Sequence, residues 1–136
     1  MRSNTPPPST PTKRKVLIVD DVPFNIELEA KIIQSLAGEK NVDVDIDTAL
    51  NVADAKRKID QNAPYDAMVI DMNLPDGSGA EIALAAHEKS TDTRLAALTI
   101  YPGKYEDQSL FFDIFLRKPI MPGDYKQNVG TLLQLD

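Results

Sequence analysis

The chain has 136 residues, a length that suits one domain with a sizeable core and is short for two. Its formal net charge of −6 at pH 7 argues against general binding to nucleic acid or to an anionic membrane, since both need a basic face. The lack of cysteine excludes disulfides and a cysteine nucleophile and agrees with a cytoplasmic location. No apolar run approaches the roughly 18 residues that a membrane-spanning helix needs, so we expect no membrane insertion.

The first residues differ in composition from the rest of the chain. The segment 1–14 is rich in proline, serine and threonine and lacks the apolar core of a signal peptide. Such a composition is typical of a disordered lead-in or an interdomain linker. We therefore expect a single folded domain over residues 15–136.

The first half of this domain predicts two strands and two helices. The run 15–21, "KVLIVDD", is short and aliphatic before its two acids, which is typical of a buried strand. A helical pattern follows, with Gly38 as its expected end. The run 42–49, "VDVDIDTA", alternates like an edge strand with one solvated face. Asn51 is placed to cap a second helix that runs through Lys58.

The second half repeats this alternation. The run 65–72, "YDAMVIDM", predicts a buried strand, and a turn-rich loop leads from it to a third helix over 80–89. The runs 94–100, "RLAALTI", and 113–119, "DIFLRKP", predict two more strands, and a last helix is expected over 123–135. Strands that alternate with helices indicate an α/β domain with a doubly wound parallel sheet, covered by helices on both faces.

Polar side chains stand at the carboxyl ends of the predicted strands, where ligands bind in doubly wound sheets. Asp20 and Asp21 end the first strand, and Asp71 ends the third. Thr99 and Lys118 end the fourth and fifth. Three neighbouring carboxylates raise one another's pKa unless a cation neutralises them, and Mg²⁺ prefers such oxygen ligands. The sequence therefore predicts a magnesium site at this edge.

Each of these residues also has an ordinary explanation. An aspartate at a strand end is commonly a turn former, a threonine there a strand residue, and a lone lysine a solvated charge. Their occurrence at the same edge of the sheet is what favours a site. By contrast, Asp43, Asp45 and Asp47 alternate along a strand, and we interpret them as its solvated face.

Four motifs carry a family resemblance. They are "VDD" at 19–21, "IDMNLPDGSG" at 70–79, "ALT" at 97–99 and "KP" at 118–119. In this order and spacing, the chain resembles the receiver domain of two-component response regulators over about residues 15–135. The stretch "DDVPFN" resembles receivers attached to hybrid sensor histidine kinases.

The resemblance implies a flavodoxin-like five-stranded sheet of order 2-1-3-4-5. It also implies that Asp71 is the phosphoacceptor, which takes a phosphoryl group from a phosphohistidine of a histidine kinase or a histidine phosphotransfer protein. The domain would catalyse its own phosphorylation and slow dephosphorylation rather than act as a turnover enzyme, and would signal to a further protein. The linker-like segment 1–14 favours a domain taken from a longer protein.

Metal binding and phosphoryl contacts also follow from the resemblance. Mg²⁺ or Mn²⁺ would be held by Asp71, by Asp21 directly and by Asp20 largely through water. The backbone carbonyl of Asn73 would complete the protein ligands. Thr99 and Lys118 would each contact a phosphoryl oxygen, as positioning and charge neutralisation require.

Two further roles concern switching and lifetime. Thr99 would move toward the phosphoryl group and Phe115 would rotate into the vacated space. An ordinary core aromatic is the alternative role for Phe115. Asn73 and Tyr101 occupy positions that tune the lifetime of the acyl phosphate in this family. We hypothesise that the ring of Tyr101 shields the phosphoryl group from water.

The chain departs from the family pattern between its fourth and fifth strands. Ile100 stands where receivers carry a small residue, and its bulk would narrow access for a phosphodonor. The segment from Thr99 to Lys118 is shorter than is typical, which predicts a short or irregular helix there. Phe111 and Phe112 are expected to lie against the sheet, with an exposed partner patch as the alternative.

Three other functions are alternatives to a phosphoaccepting receiver. A degenerate receiver that acts only as a docking module is the main alternative, because Ile100 and the short segment leave it open. An aspartyl-phosphate hydrolase needs an acid two residues after its nucleophile, where this chain has Asn73. A histidine kinase is excluded, since there is no glycine-rich nucleotide loop and His87 is predicted on a helix surface.

Overall fold

The fold is a parallel α/β sandwich, seen in a computed structural model that describes residues 13–100 and 111–135. In chain order its elements are β1 (Lys13–Val19), α1 (Pro23–Lys40), β2 (Asp43–Ala49), α2 (Val52–Asn62), β3 (Ala67–Asp71), β4 (Asn73–Leu74), β5 (Gly77–Ser78), α3 (Gly79–Lys89), β6 (Arg94–Thr99), β7 (Ile114–Arg117) and α4 (Pro122–Leu132). The main sheet has the order β2-β1-β3-β6-β7, with all neighbours parallel. Since β6 and β7 are its fourth and fifth strands, the expected order 2-1-3-4-5 is confirmed.

Helices cover both faces of this sheet. Along β1, Val16 and Ile18 point into a core shared with α1 and α4, whereas Leu17 and Val19 point into a core shared with α2 and α3. Alternate side chains of a strand face opposite sides, so a strand buried on both faces has to be aliphatic throughout. That requirement explains the continuous apolar run in the sequence. No helix within the described ranges is long and apolar enough to cross a membrane.

Two helices end later than the sequence predicted. Gly38 does not end α1, which continues to Lys40 and is closed by Asn41 in the left-handed conformation, with φ 58° and ψ 45°. Asparagine tolerates this conformation and can replace glycine at a helix end. The helix α2 likewise runs four residues past Lys58. Its predicted cap is confirmed, because Asn51 Oδ1 accepts a hydrogen bond of 2.7 Å from the Asp54 amide.

The acidic face of β2 is only partly solvated. Asp43 and Asp45 are exposed as predicted, but the interpretation is wrong for Asp47, which is half-buried. The Tyr65 hydroxyl donates a hydrogen bond of 2.6 Å to Asp47 Oδ2, and Asn62 donates a second of 3.3 Å. Asp47 therefore ties β2 to the segment that precedes β3, a contact between residues too distant in sequence for a local pattern to reveal.

The two phenylalanines before β7 lie against the sheet, as expected. Phe112 is 8% exposed, and Phe111 is half-buried against the core that α2 and α3 cover. His87 lies in α3, also as expected, and is half-buried. Tyr101 and the short helix predicted between β6 and β7 fall outside the described residues.

Gly79 begins α3, and its lack of a side chain lets the helix start in close contact with β3, the strand that carries Asp71. A Cβ added at Gly79 would lie 2.8 Å from Ile70 Cγ2, 2.9 Å from the Asp71 carbonyl oxygen and 2.9 Å from Met72 Sδ. The neighbouring atoms include backbone, which cannot rotate away. The contact explains why the last residue of the motif "DGSG" has no side chain.

We predict that Gly79→Ala lowers the free energy of unfolding by about 1–3 kcal/mol, because the added methyl group overpacks this contact. Urea unfolding measures the loss. The matched control is Gly38→Ala in α1, where a Cβ would meet nothing within 4 Å and alanine is the better helix former. Equal stability of the two variants would contradict the packing argument.

Candidate functional site

Three carboxylates converge where β1 and β3 end. Asp20 follows β1 directly, its amide donating a 3.1 Å hydrogen bond to the Ala49 carbonyl of β2, and Asp71 is the last residue of β3. With Asp21, they offer carboxylate oxygens that all lie within 4.8 Å of one another. Parallel strands pass their carboxyl ends to the same edge of the sheet, which explains how residues fifty positions apart meet. The predicted acidic cluster is present.

Lys118 supplies a positive charge to this cluster. Its Nζ lies 3.0 Å from Asp71 Oδ2 and 3.5 Å from Asp20 Oδ2. The backbone carries it there, since the Lys118 amide donates to the Thr99 carbonyl at 2.9 Å and so extends the pairing of β6 with β7. One ammonium is thus shared by two buried carboxylates.

Burial and charge act in opposite directions on this pair. Burial raises the pKa of Asp71, although the hydrogen bonds from the Asn73 amide and from Lys118 oppose the rise. Burial also opposes the charge of Lys118, but Asp71 and Asp20 outweigh it and raise the pKa of the ammonium. A buried charge is tolerated only when it is paired and hydrogen-bonded. The negative charge of Asp71 and the positive charge of Lys118 therefore stabilise each other.

The two adjacent aspartates have different environments. Asp20 has no exposed surface, and its Oδ1 accepts a 2.9 Å hydrogen bond from the Val22 amide. The Asn25 side chain lies 3.4 Å from its Oδ2. Asp21 is exposed. Asp20 is therefore buried and held by hydrogen bonds, whereas Asp21 is accessible to solvent. This difference is compatible with the different metal roles predicted for the two residues.

The remaining predicted residues lie around this cluster. The Asn73 amide donates a 2.9 Å hydrogen bond to Asp71 Oδ1, which fixes one oxygen of that carboxylate. Thr99 is buried at the end of β6 and pairs with Arg117 across the sheet. Phe115 is half-buried in β7, with its ring 5.7 Å from that of Phe112. The tuning role of Asn73 and the switch roles of Thr99 and Phe115 stay predictions.

An apolar groove borders the cluster on the side of Lys118. Ile100 is 56% exposed, and the groove also contains Phe24, Leu28 and Ile120. Ile100 therefore lies at the surface in the same groove as Lys118, and the expectation that it narrows access to the site stays a prediction.

The sequence reasoning missed a second buried acid. Glu29, on α1, has no exposed surface. Its Oε1 accepts a 2.8 Å hydrogen bond from the Tyr125 hydroxyl of α4, and its Oε2 has no partner among the described residues. Burial raises the pKa of Glu29 to about 8, and the charges of Asp20 and Asp71 add to the rise while Tyr125 and Lys118 oppose it.

A signal for this acid was available in the sequence. Glu29 shares one helical stripe with Ile32, Ile33 and Leu36, at the spacing i, i+3, i+4 and i+7 that defines a buried helix face. An acid in such a stripe is expected either to be paired or to be neutral. Its partner Tyr125 lies 96 residues away and is not indicated by any local pattern.

Comparison with known proteins agrees with this geometry. Residues 16–129 match the response regulator receiver domain family. The chain is 32% identical over 123 residues to the hybrid signal transduction histidine kinase L of Dictyostelium discoideum, covering 83% of this chain and 7% of that protein. It is 34% identical over 129 residues to the response regulator protein PilR of Pseudomonas aeruginosa, covering 91% and 27%. The chain thus spans a minor part of these relatives.

Solved structures give the same result. The response regulator TrrA of Thermotoga maritima, solved in complex with Mg²⁺ and BeF, is 29% identical with a TM-score of 0.69, covering 88% of this chain and 99% of that one. The chemotaxis response regulator CheY4 of Vibrio cholerae is 22% identical with a TM-score of 0.75, covering 89% and 99%; at this identity it supports the fold alone.

The chain belongs to the response regulator receiver domain family. Its fold, its acidic cluster and its family match make it a receiver domain of two-component signalling, a class whose members interact with histidine kinases or phosphotransfer proteins.

We predict that Lys118→Met lowers the free energy of unfolding at pH 7 by about 3 kcal/mol, because Asp20 and Asp71 lose their cation while staying buried. The loss should shrink as the pH is lowered, since protonated carboxyls no longer need the ammonium. Urea unfolding at several pH values measures both effects. The control is Lys13→Met, whose pair with Asp45 is exposed and should change stability by less than about 1 kcal/mol. Equal losses would contradict the shared-charge interpretation.

A second prediction concerns the pH dependence of stability. The folded chain binds the Glu29 proton up to about pH 8, whereas the unfolded chain releases it near its ordinary pKa of 4.5. Between these values, Glu29 lowers the free energy of unfolding by about 1.4 kcal/mol for each unit of rising pH. Glu29→Gln should remove this slope and be more stable than the parent at neutral pH. Glu27→Gln, at an exposed position of α1, should retain the slope. An unchanged slope in Glu29→Gln would show that Glu29 is ionised in the folded state.

Proposed function

We propose that this receiver domain accepts a phosphoryl group on Asp71 from a partner phosphohistidine, with Mg²⁺ or Mn²⁺ held by Asp20, Asp21, Asp71 and the backbone carbonyl of Asn73. The observation that carries the proposal is the set of three carboxylates within 4.8 Å of one another, with Lys118 Nζ 3.0 Å from Asp71 Oδ2. Carboxylate oxygens at this spacing are the donors that a hard divalent cation prefers. The 29% identical TrrA structure, solved with Mg²⁺ and BeF, supports the same assignment.

The chain's own residues would prepare the acceptor for in-line attack. Asp71 keeps its carboxylate in one orientation because the Asn73 amide holds Oδ1 and Lys118 holds Oδ2. A carboxylate oxygen would attack phosphorus while the bond to the imidazole nitrogen breaks, leaving an acyl phosphate and a neutral histidine after proton uptake. A metal bound at the acidic cluster would neutralise charge on the phosphoryl oxygens. The contribution of the protein is therefore positioning and electrostatics.

Lys118 would change partners during this reaction. In the structure its ammonium is shared by Asp20 and Asp71, and a phosphoryl group on Asp71 offers it new anionic oxygens at the same place. Thr99, at the end of the neighbouring strand β6, would contact another phosphoryl oxygen. Movement of Thr99 coupled to rotation of Phe115, half-buried in β7, is the switch that we propose for passing the signal on.

A docking-only module is the second candidate function. The exposed Ile100 beside Lys118 favours it, because a bulky side chain at this place obstructs a phosphodonor. The paired and buried state of Asp20, Asp71 and Lys118 favours phosphotransfer, since such a costly arrangement has no use in a docking surface.

Intact-mass measurement after incubation with acetyl phosphate and Mg²⁺ tests the proposal. We expect the parent chain to gain one phosphoryl group and Asp71→Asn to gain none, because the acceptor is that carboxylate. Asp45→Asn, at an exposed position of β2, is the matched control and should gain the group as the parent does.

Two results would contradict phosphotransfer to Asp71, and a third would contradict a signalling receiver. A mass gain that survives Asp71→Asn would place the acceptor elsewhere. No gain together with no Mg²⁺ binding in calorimetric titration would leave the docking-only module. Rapid multiple turnover of acetyl phosphate would indicate a hydrolase.

A further inference from the structure

Asp76, in the loop that follows β3, accepts hydrogen bonds from the start of α2. Asp76 lies between β4 and β5, five residues beyond Asp71. Its Oδ1 accepts a 2.7 Å hydrogen bond from the Val52 amide, and its Oδ2 accepts one of 3.0 Å from the Ala53 amide. These two backbone donors hold the pKa of Asp76 below its ordinary value. Both carboxylate oxygens of the exposed Asp76 therefore accept hydrogen bonds from the first turn of α2.

The start of α2 shows what this contact adds. The first amides of a helix lack partners within the helix. In α2 the Asp54 amide donates to the Asn51 side chain at 2.7 Å and the Ala55 amide to the Asn51 carbonyl at 3.0 Å. Asp76 binds the other two amides from 23 and 24 positions away. Asn51 is thus a local cap, whereas Asp76 joins the helix to the loop.

The same loop holds the acceptor carboxylate. Asn73, whose amide binds Asp71 Oδ1 at 2.9 Å, opens the loop and pairs with Ser78 at its other end. Two paired positions are a marginal hairpin by themselves. The loop therefore needs an external anchor if Asn73 is to keep its place beside Asp71.

Packing confirms that the loop rests on α2. Leu74 and Val52 belong to the same buried core. A Cβ added at Gly77 would lie 3.3 Å from Val52 Cγ2, so the backbone of the loop approaches the helix closely. Asp76 lies between Leu74 and Gly77 in the sequence. The hydrogen bonds of Asp76 therefore add to an apolar contact between the same loop and α2.

We propose that Asp76 is a positioning residue for the phosphoacceptor site, acting by anchoring to α2 the loop that presents the Asn73 amide to Asp71. The part of this inference that concerns phosphorylation rests on the proposed function of Asp71. A helix cap that serves stability alone would use the same two hydrogen bonds. The two interpretations differ in whether loss of Asp76 changes the environment of Asp71.

Asn51 provides the matched control, because Asn51→Ala and Asp76→Ala each remove side-chain acceptors from the same helix end. Both variants should lower the urea midpoint. Only Asp76→Ala should release the loop. We expect it to speed amide hydrogen exchange at Asn73 and to slow phosphorylation by acetyl phosphate, each about tenfold, while Asn51→Ala changes either by less than about twofold. Asp76→Asn keeps one acceptor oxygen and should fall between the parent and Asp76→Ala.

The readouts separate failure of this inference from failure of the proposed function. Equal changes in Asp76→Ala and Asn51→Ala, or an Asn73 exchange rate that follows stability alone, would overturn the positioning role. A parent chain that is not phosphorylated would contradict the proposed function. Faster Asn73 exchange specific to Asp76→Ala would even then support the anchoring of the loop. Should Asp76→Ala fail to fold, the comparison of Asp76→Asn with Asn51→Ala decides by the same criteria.

Discussion

The site depends on one shared charge. Asp20 and Asp71 are both buried, and the ammonium of Lys118 lies within 3.5 Å of an oxygen of each. Burial raises the pKa of Asp71 and the Lys118 ammonium opposes that rise, because a charge removed from water is tolerated only when it is paired. Three carboxylates and one ammonium also leave the cluster with an excess of formal negative charge. That excess is consistent with the proposed binding of a further cation.

The fold meets this constraint by holding each charged group from the backbone. The strand ends bring Asp20, Asp71 and Lys118 to one edge, and hydrogen bonds from the Val22 and Asn73 amides orient the two carboxylates. Elements far apart in the chain surround these groups. The loop after β3 is hydrogen-bonded to α2 through Asp76, and α1 is hydrogen-bonded to α4 through Glu29 and Tyr125. A cluster of like charges needs such support, since its members repel one another unless they are held.

Much of the architecture could be predicted because its signals are local. The aliphatic run of β1 follows from burial on both faces, and the Asn51 cap follows from a residue type and a spacing of three. Other features could not be predicted, since they depend on residues distant in sequence. The alternating pattern predicts a solvated Asp47, but the Tyr65 hydroxyl donates a hydrogen bond to it. The expected end of α1 at Gly38 is wrong because Asn41, in the left-handed conformation, ends the helix instead.

By itself, the sequence determined that the chain is a parallel α/β domain with acids, a hydroxyl and a lysine at the carboxyl ends of its strands, because strand period and chain order suffice for both. Only the tertiary structure decided that Asp20 is buried while Asp21 is exposed. The same holds for the burial of Glu29 against the Tyr125 hydroxyl, which raises the pKa of Glu29, and for the hydrogen bonds that Asp76 accepts from α2. Burial and long-range hydrogen bonds arise when separate elements pack together, so identical residue types acquire different environments.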